Sequence, residues 1–536
     1  MLALILTAGL AVPERAQAAT GISSKIADAE AAVETAKADL KTAQKKYEKE
    51  KADAIAKVTV TDSDMEGTGR EFIDSLIKEA YAEDKNSVTG IMKQSELTVS
   101  GCIKRAKANA TCKAAIDEID KTSVTFDERV DNALSTDNLY KAIDLMKKCN
   151  TYRTNETDSN GNSLGLKAYR VSPYLMASAA VSAAIGTHTL SHTYVNESLL
   201  VACNGKKGYE NYGYNMSDPF SYWYTAEKAG TAGTKAHYNQ IMSKNYKQTG
   251  ASWINVSCKS KSGANVTLYT EQCFVSDSSG TSYTVTKFKS LLTSYINDKK
   301  QQIYDEKVAN LSIVKKKPTY LKNAEAALDD AYEALSDVVK AYKPEISVTN
   351  YAYNKLKVSY KIPTGLDGIK IYRSVSGKTG TFILKKTKTS GKYFINTSLT
   401  SGKTYYYKAK LYKTVNGKKV YTKLSDCVSL APEPVQVTGL TVTKLKSGKL
   451  RMTWDEVEGA SGYSIYVKKV GESSYKALKK DTDVYGLILE NREASDPAAR
   501  ALITTSGEYI IKVRAYRKVN GTTVKGKFSE TVRKTV

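Results

Sequence analysis

Two long stretches of the chain repeat apolar residues in a strict 4-3 spacing. Ile22, Ile26, Ala29, Val33, Ala36, Leu40, Ala43 and Tyr47 mark the first, which runs on through Glu50 to Ala54; Leu321, Ala324, Leu328, Ala331, Leu335, Val338 and Tyr342 mark the second. That spacing puts one stripe on one side of a helix, and its many alanines let a partner helix approach closely. The seams bracket everything between them. An antiparallel pairing would therefore bring the two ends of the intervening segment together on a helical stalk, and a homodimer through either seam is the alternative. Val285 to Lys316 also reads as helix, and Pro318 separates it from the second seam because proline lacks the amide hydrogen and crowds the preceding turn.

Between the seams the pattern changes several times. Residues 60 to 130 are polar and helical in period and carry no catalytic motif, which predicts a spacer or an elaboration. Leu139 to Asn150 is amphipathic with helical spacing, and Val171 to Ala184 is small and apolar enough for a helix buried against a sheet. Strands are expected around Ser252 to Cys258 and Val266 to Val275, with Ser262 and Gly263 near the turn.

The last third alternates apolar and polar residues in short runs and is a tandem repeat. Lys355 to Gly377 aligns without a gap on Lys449 to Gly471, so that Tyr360 falls where Trp454 does. Tyr405 to Asp426 aligns on Tyr509 to Glu530, with ten extra residues in the second copy placed near Glu490 to Arg500. Turn signals at Asn416-Gly417 and Asn520-Gly521 predict hairpins, and the whole predicts two β-sandwiches joined at Pro432-Glu433-Pro434. These copies resemble fibronectin type III domains, and Leu399, Gly402 and Tyr405 have the spacing of a tyrosine corner.

Composition adds a compartment and a charge. Residues 1–19 hold an apolar run, LALILTAGLAV, then Pro13 and the small-residue pattern Ala16-Gln17-Ala18, as in a signal peptide with cleavage near Ala19. No later run is long and apolar enough to span a bilayer. The net charge is +24, and residues 344–536 account for +21 of it, with 36 lysines and arginines against 15 acids. Such a surface attracts anionic polymers such as teichoic acids and acidic glycans, although lysines on strand edges also suppress aggregation. No recognised reader motif accompanies the basic residues, which argues against nucleic acid. Tyrosine outnumbers phenylalanine 37 to 8, which suits contact with sugars or proteins as well as strand propensity. The seven cysteines contain no CxxC pair. In an exported chain Cys102 with Cys112 and Cys258 with Cys273 are the local disulfide candidates, among 15 connectivities open to the six central cysteines; Cys149 and Cys203 complete that set. Cys427 is expected to be a lone buried thiol.

The candidate chemistry lies between His188 and His237, which contain all three histidines of the chain. The segments read SHTYVNES from Ser191, YENYGYNMSDPFSYWYTAEK from Tyr209, AHYNQIM from Ala236 and TGAS from Thr249. This order resembles the CAP superfamily, also called the SCP domain, of secreted cysteine-rich and pathogenesis-related proteins. The resemblance covers residues 130–277. It implies a three-layer α-β-α sandwich and a groove in which two histidines and two glutamates can hold a divalent metal such as zinc. By motif, His192, Glu210 and His237 take three of those positions. The fourth departs from the pattern, since the usual glutamate follows tryptophan by three residues. Here Ala226 stands three after Trp223, and Glu227 follows it. Either a one-residue shift lets Glu227 serve, or the site has lost a carboxylate. His188 lies four residues before His192 and would share its face on a helix; His192 is preferred for its SHT context.

The expected architecture is therefore multidomain. It runs as a signal peptide (1–19), a coiled-coil helix (20–59), a helical extension (60–129), a CAP-like α-β-α sandwich (130–277), a helical return (285–343) and two all-β fibronectin type III-like sandwiches (344–432 and 433–536). The leading expectation is a secreted, non-enzymatic binding protein associated with a Gram-positive cell wall, whose partner is anionic wall polymer or an extracellular protein or glycan. The alternative is a divalent-metal-dependent hydrolase or peptidase, with zinc the candidate metal, the histidines as ligands, Glu210 as general base and Glu227 in the site. Lipid carriage, known in eukaryotic relatives of the resembled family, has no supporting feature in this sequence.

Overall fold

In the computed structural model the described residues are 21–80, 93–191, 208–276, 281–447, 449–482, 486–489 and 506–536. The signal-peptide expectation, His192, Cys203 and the insertion near Glu490 lie outside them. The chain divides into two compact units, one made of Met1–Lys49 with Lys317–Val536 and the other of Glu50–Lys316. No helix among the described residues is long and apolar enough to cross a membrane.

The Glu50–Lys316 unit is built around one long buried helix and a four-stranded sheet. Helices α2 (Thr68–Ala80), α3 (Val99–Ala108), α4 (Ala110–Ile119), α5 (Phe126–Ala133) and α6 (Thr136–Thr154) precede strand β1 (Arg170–Val171) and helix α7 (Pro173–Thr189). Strands β2 (Tyr209–Tyr214), β3 (Gln248–Ile254) and β4 (Tyr269–Val275) follow, with the short helix α8 (Ala236–Met242) before β3 and α9 (Val285–Asn310) after β4. The sheet order is β1-β3-β4-β2, and only the β1–β3 pair is parallel. Pro173 sits in the first turn of α7, where its missing N–H costs nothing, and every residue from Pro173 to His188 is buried. Small residues permit this. A Cβ added to Gly250 would lie 2.3 Å from the backbone of Leu175, and one added to Gly186 would lie 2.3 Å from the Tyr269 hydroxyl.

Helix α7 covers one face of the sheet and α6 the other, as Gly250 against Leu175 and Gln272 against Cys149 show. The layers are helix, sheet and helix. Residues 60–129 are not a spacer. Phe72, Ile77, Cys102, Ile116 and Val130 belong to the same core as Val181, Phe274 and Leu292, so the hydrophobic core is continuous from Met65 to Ile296. The helices expected from their period are present, and the apolar faces that α2 to α5 present to α7 make these residues part of the same core. The two local disulfides are not made either. Cys102 packs against the Leu97 carbonyl and the Arg105 guanidinium, and Cys258 lies beside Arg129 and Thr187 while Cys273 points at Glu271.

In the other unit, α1 (Ile22–Ile55) and α10 (Thr319–Ala341) pack antiparallel: Lys46 lies over the Tyr320 ring, Lys37 over Tyr332, and Ile26 shares a cluster with Val339. Their ends are more than a stalk. Ile26, Val33, Leu335 and Val339 join the core of the first sandwich with Leu356, Ile371 and Tyr407, and Lys413 pairs with Glu30.

That sandwich sets strands β5 (Ile346–Ala352), β6 (Lys355–Tyr360) and β9 (Tyr393–Asn396) against β7 (Gly368–Ser374), β8 (Ile383–Lys388), β10 (Tyr405–Val415), β11 (Lys418–Tyr421) and β12 (Val428–Leu430). The second copy repeats this order. Strands β13 (Thr441–Lys444), β14 (Leu450–Thr453) and β17 (Gly486–Leu489) form one sheet, and β15 (Gly462–Lys469), β16 (Lys476–Thr482), β18 (Glu508–Val519), β19 (Thr522–Lys525) and β20 (Val532–Thr535) form the other. Asn416 and Asn520 take left-handed φ of 46° and 47° at the two predicted hairpins, each followed by a left-handed glycine. The tyrosine corner is formed, with the Thr400 amide donating to the Tyr405 hydroxyl at 3.0 Å. Cys427 is exposed, contrary to expectation, because it lies outside the strands, just before β12.

Candidate functional site

Glu227 and His237 meet. The His237 imidazole Nδ1 lies 2.5 Å from Glu227 Oε1, and the Tyr238 amide donates to Glu227 Oε2 at 2.8 Å. Glu227 is fully buried and the His237 side chain is 13% exposed. Trp223 stacks on the imidazole with ring centroids 6.1 Å apart and donates its indole N–H to the Tyr212 carbonyl. The carboxylate fixes the ring's orientation, as such partners do for histidines that bind metals or move protons.

The local backbone explains how Glu227, four residues after Trp223, reaches this position. Ser221–Ala226 is a π-helical turn, and the Glu227 amide donates to the Tyr222 carbonyl five residues back. At about 4.4 residues per π turn, four residues sweep roughly 330°, close to the roughly 300° that three residues sweep in an α-helix. An α-helix would have carried Glu227 about 100° past that direction. The wider turn thus carries Glu227 to nearly the direction that the third residue after Trp223 would take in an α-helix.

Glu210 does not join this pair. On β2 it alternates with Asn211, and the two side chains point to opposite faces of the sheet. The Asn211 side chain reaches the His237 carbonyl at 3.5 Å. Glu210 instead faces α7, where its carboxyl lies with the Glu271 carboxyl, the Cys273 thiol and the Ser182 hydroxyl. Strand register puts Glu210 beside Cys273, and Cys273 Sγ lies 3.3 Å from Glu271 Oε1. Burial pushes the Glu210 carboxyl up to about 8, against hydrogen bonds from Glu271 and Ser182 that lower it, and burial together with the neighbouring Glu210 holds Glu271 well above the usual carboxylate range. The expected set of His192, Glu210, Glu227 and His237 is therefore divided among the described residues. Glu227 and His237 share one face, and Glu210 belongs to a buried acid pair on the other. The general-base role expected of Glu210 in a hydrolase is not met by this geometry.

His188, the other histidine considered, closes α7 with Nε2 2.8 Å from Glu118 Oε2.

A second buried acid flanks the Glu227–His237 pair and was not anticipated. Glu156, at the end of α6, accepts hydrogen bonds from the Tyr224 and Tyr238 hydroxyls and pairs with Lys228 at 2.6 Å. Burial pushes its carboxyl up, but the bonds from Lys228, Tyr224 and Tyr238 outweigh that and hold it below the ordinary value. Arg153, one turn earlier, donates to the carbonyls of Lys167 and Ile241 and to the Tyr169 hydroxyl, which ties α6 to α8. Tyr224, Tyr238 and Lys228 stand inside the quoted motifs. Glu156 lies more than 50 residues before them, and only the fold brings it there. Glu271 and Cys273 had a sequence signal in the acid set inside the apolar strand YTEQCFV.

No family model matches the chain, and no curated protein matches it. Among solved structures, chicken CNTN1 FN1-FN3 domains align over 37% of this chain and 65% of that one, at 16% identity and a TM-score of 0.18. The chain thus spans about two thirds of that neighbour. A two fibronectin type III domain segment from chicken tenascin aligns over 36% and 99%, at 12% identity and a TM-score of 0.23. Both neighbours are fibronectin type III segments, the fold expected for residues 344–536; at these scores the description of the two sandwiches rests on their own strand order and on the tyrosine corner.

Proposed function

We propose that this is an extracellular, non-enzymatic binding protein, held to anionic polymer by its sandwiches, whose helix–sheet domain offers the His237 face to a small ligand, metal or partner. The charge of the first sandwich carries the reading. Residues 344–432 hold 17 lysines and arginines against three acids, and between Lys355 and Lys423 the sole acid is Asp367. Surface charge of one sign at that density favours association with polyanions. A Gram-positive cell wall is the partner that fits both this charge and the expected signal peptide. The CAP-like reading of residues 130–277 stays part of the proposal, supported by the helix–sheet–helix layering and by the Glu227–His237 pair.

Salt elution tests the electrostatic part. The protein bound to purified cell-wall sacculi should be released between 0.1 and about 1 M NaCl, because exposed charges are screened over about 3 Å at 1 M. Retention of the bound fraction at 1 M would refute attachment by charge.

A further inference from the structure

Each sandwich presents the same group of side chains on the outer face of its larger sheet. In the first, Lys408 and Lys410 alternate with buried Tyr407, Ala409 and Leu411 along β10 and so point outward. Lys410 Nζ lies 4.1 Å from the centre of the Tyr421 ring and 5.9 Å from that of Tyr372, and Lys408 lies 5.0 Å from that of Phe382. Tyr372, Phe382, Lys408, Lys410 and Leu424 border a hollow of about 230 Å³. In the second, Lys512 lies 3.7 Å from the Tyr475 ring centre and 4.1 Å from that of Phe528, and Arg514 lies 4.6 Å from Phe528 and 5.3 Å from Tyr466. The repeat alignment superposes Lys408 on Lys512, Lys410 on Arg514, Tyr372 on Tyr466 and Leu424 on Phe528.

Three features separate this group from solubilising lysines. Its cations lie on β10 and β18, which are paired on both sides, whereas aggregation control belongs to edge strands. Among the described residues no carboxylate pairs with Lys408, Lys410, Lys512 or Arg514; aromatic rings hold them instead, and a ring fixes a cation's position without cancelling its charge. Like charges are also crowded, since Lys512 is held below the ordinary lysine value by burial and by neighbouring Arg514 and Lys468. An ordered, uncompensated pair of cations beside an apolar hollow is complementary to an anionic group on a compact, partly apolar unit.

We propose that each sandwich binds one carboxylate- or phosphate-bearing unit of an extracellular anionic polymer through Lys408 and Lys410 with Tyr372 and Phe382, and through Lys512 and Arg514 with Tyr466 and Phe528. The proposal rests on the polymer-attachment reading above and adds a place and a valence of two. One chain spanning both sites would gain avidity without any new contact.

The test measures binding of the full-length protein to two probes, poly(glycerol phosphate) and polygalacturonate, which separate phosphate from carboxylate. Lys408→Ala/Lys410→Ala and Lys512→Ala/Arg514→Ala should each weaken binding to the preferred probe by about tenfold, and the fourfold variant by about 100-fold or more. Lys392→Ala/Lys403→Ala removes the same charge from exposed turns of the first sandwich and should cost less than about threefold. Equal losses in the control and site variants would overturn the sites while leaving attachment by bulk charge intact. Failure of the wild-type protein to bind either probe would remove both readings, and tighter binding to duplex DNA with the same variant sensitivity would replace the ligand class. Thermal melts of all variants should superpose, because the substituted side chains are not in either core.

Discussion

Replacing Glu210 by glutamine should change how the helix–sheet domain responds to pH. Its carboxyl is held at about 8, against an ordinary glutamate value of 4.5, because burial outweighs the hydrogen bonds it shares with Glu271 and Ser182. The folded state therefore keeps a proton that the unfolded chain gives up. The sign follows from linkage: the contribution is fully present below pH 4.5, falls as pH rises, and is spent once pH passes about 8. A displacement of this size corresponds to about 5 kcal/mol at 1.36 kcal/mol per pH unit, an upper bound because the pair titrates as one system. The chain has three tryptophans, and Trp223 and Trp253 lie in this domain. Urea denaturation followed by fluorescence in a Trp454→Phe background therefore reports on the domain alone. Between pH 5 and 8 the stability should fall by several kcal/mol, whereas Glu210→Gln should flatten the profile and be the more stable protein at pH 8. Parallel profiles would refute the reasoning. A wild-type stability that rises with pH would refute it too, since it would mean the acids are charged and compensated in the folded protein.

Other substitutions read other contacts. Glu227→Ala strands the His237 Nδ1–H and the Tyr238 amide, and should cost about 2–4 kcal/mol in urea midpoint experiments, with Glu227→Gln milder. Tyr405→Phe removes the acceptor of the Thr400 amide and should cost about 1 kcal/mol, seen as a lower melting temperature of the sandwich transition. Gly250→Ala drives a Cβ into the Leu175 backbone and should cost about 2 kcal/mol or more, whereas Gly263→Ala meets no atom within 4 Å and carries only the strain of φ +85°. Zinc titrated calorimetrically into the full chain should bind about tenfold or more weakly in His237→Ala; equal affinity in the variant would end the case for His237 as a ligand.

Local rules made much of the fold legible. The 4-3 seams, the Pro318 break, the Asn-Gly hairpins and the tandem copies each depend on residues near one another, and each appears where the spacing placed it. What was hidden depends on distant partners. Residues 60–129 could be a spacer or an elaboration because nothing local in them shows the helix they pack on, and α1 looked like a stalk because the sandwich core that Ile26 enters begins more than 300 residues later. The site shows the same division. Glu227 was one of two readings of the fourth position, and the π turn that brings it to His237 has no signature in WYTAE itself. Glu210 was placed by motif, whereas a strand's alternation sets which face its side chain occupies, and β2 puts it with Glu271.

The interrupted unit imposes an order on synthesis. Residues 21–49 emerge before Glu50–Lys316, yet the helix and sandwich that cover their apolar stripe begin only at Lys317, after the whole of Glu50–Lys316 has been made. At about 5–20 residues per second, that interval lasts roughly 13–50 s. For that time the stripe of Ile26 and Val33 has no native partner in its own molecule, while the intervening domain can complete its core. The stripe is thus made before the intervening domain but finds its native contacts after it, and a truncated product ending before Lys317 would expose this stripe permanently to chaperones and proteases.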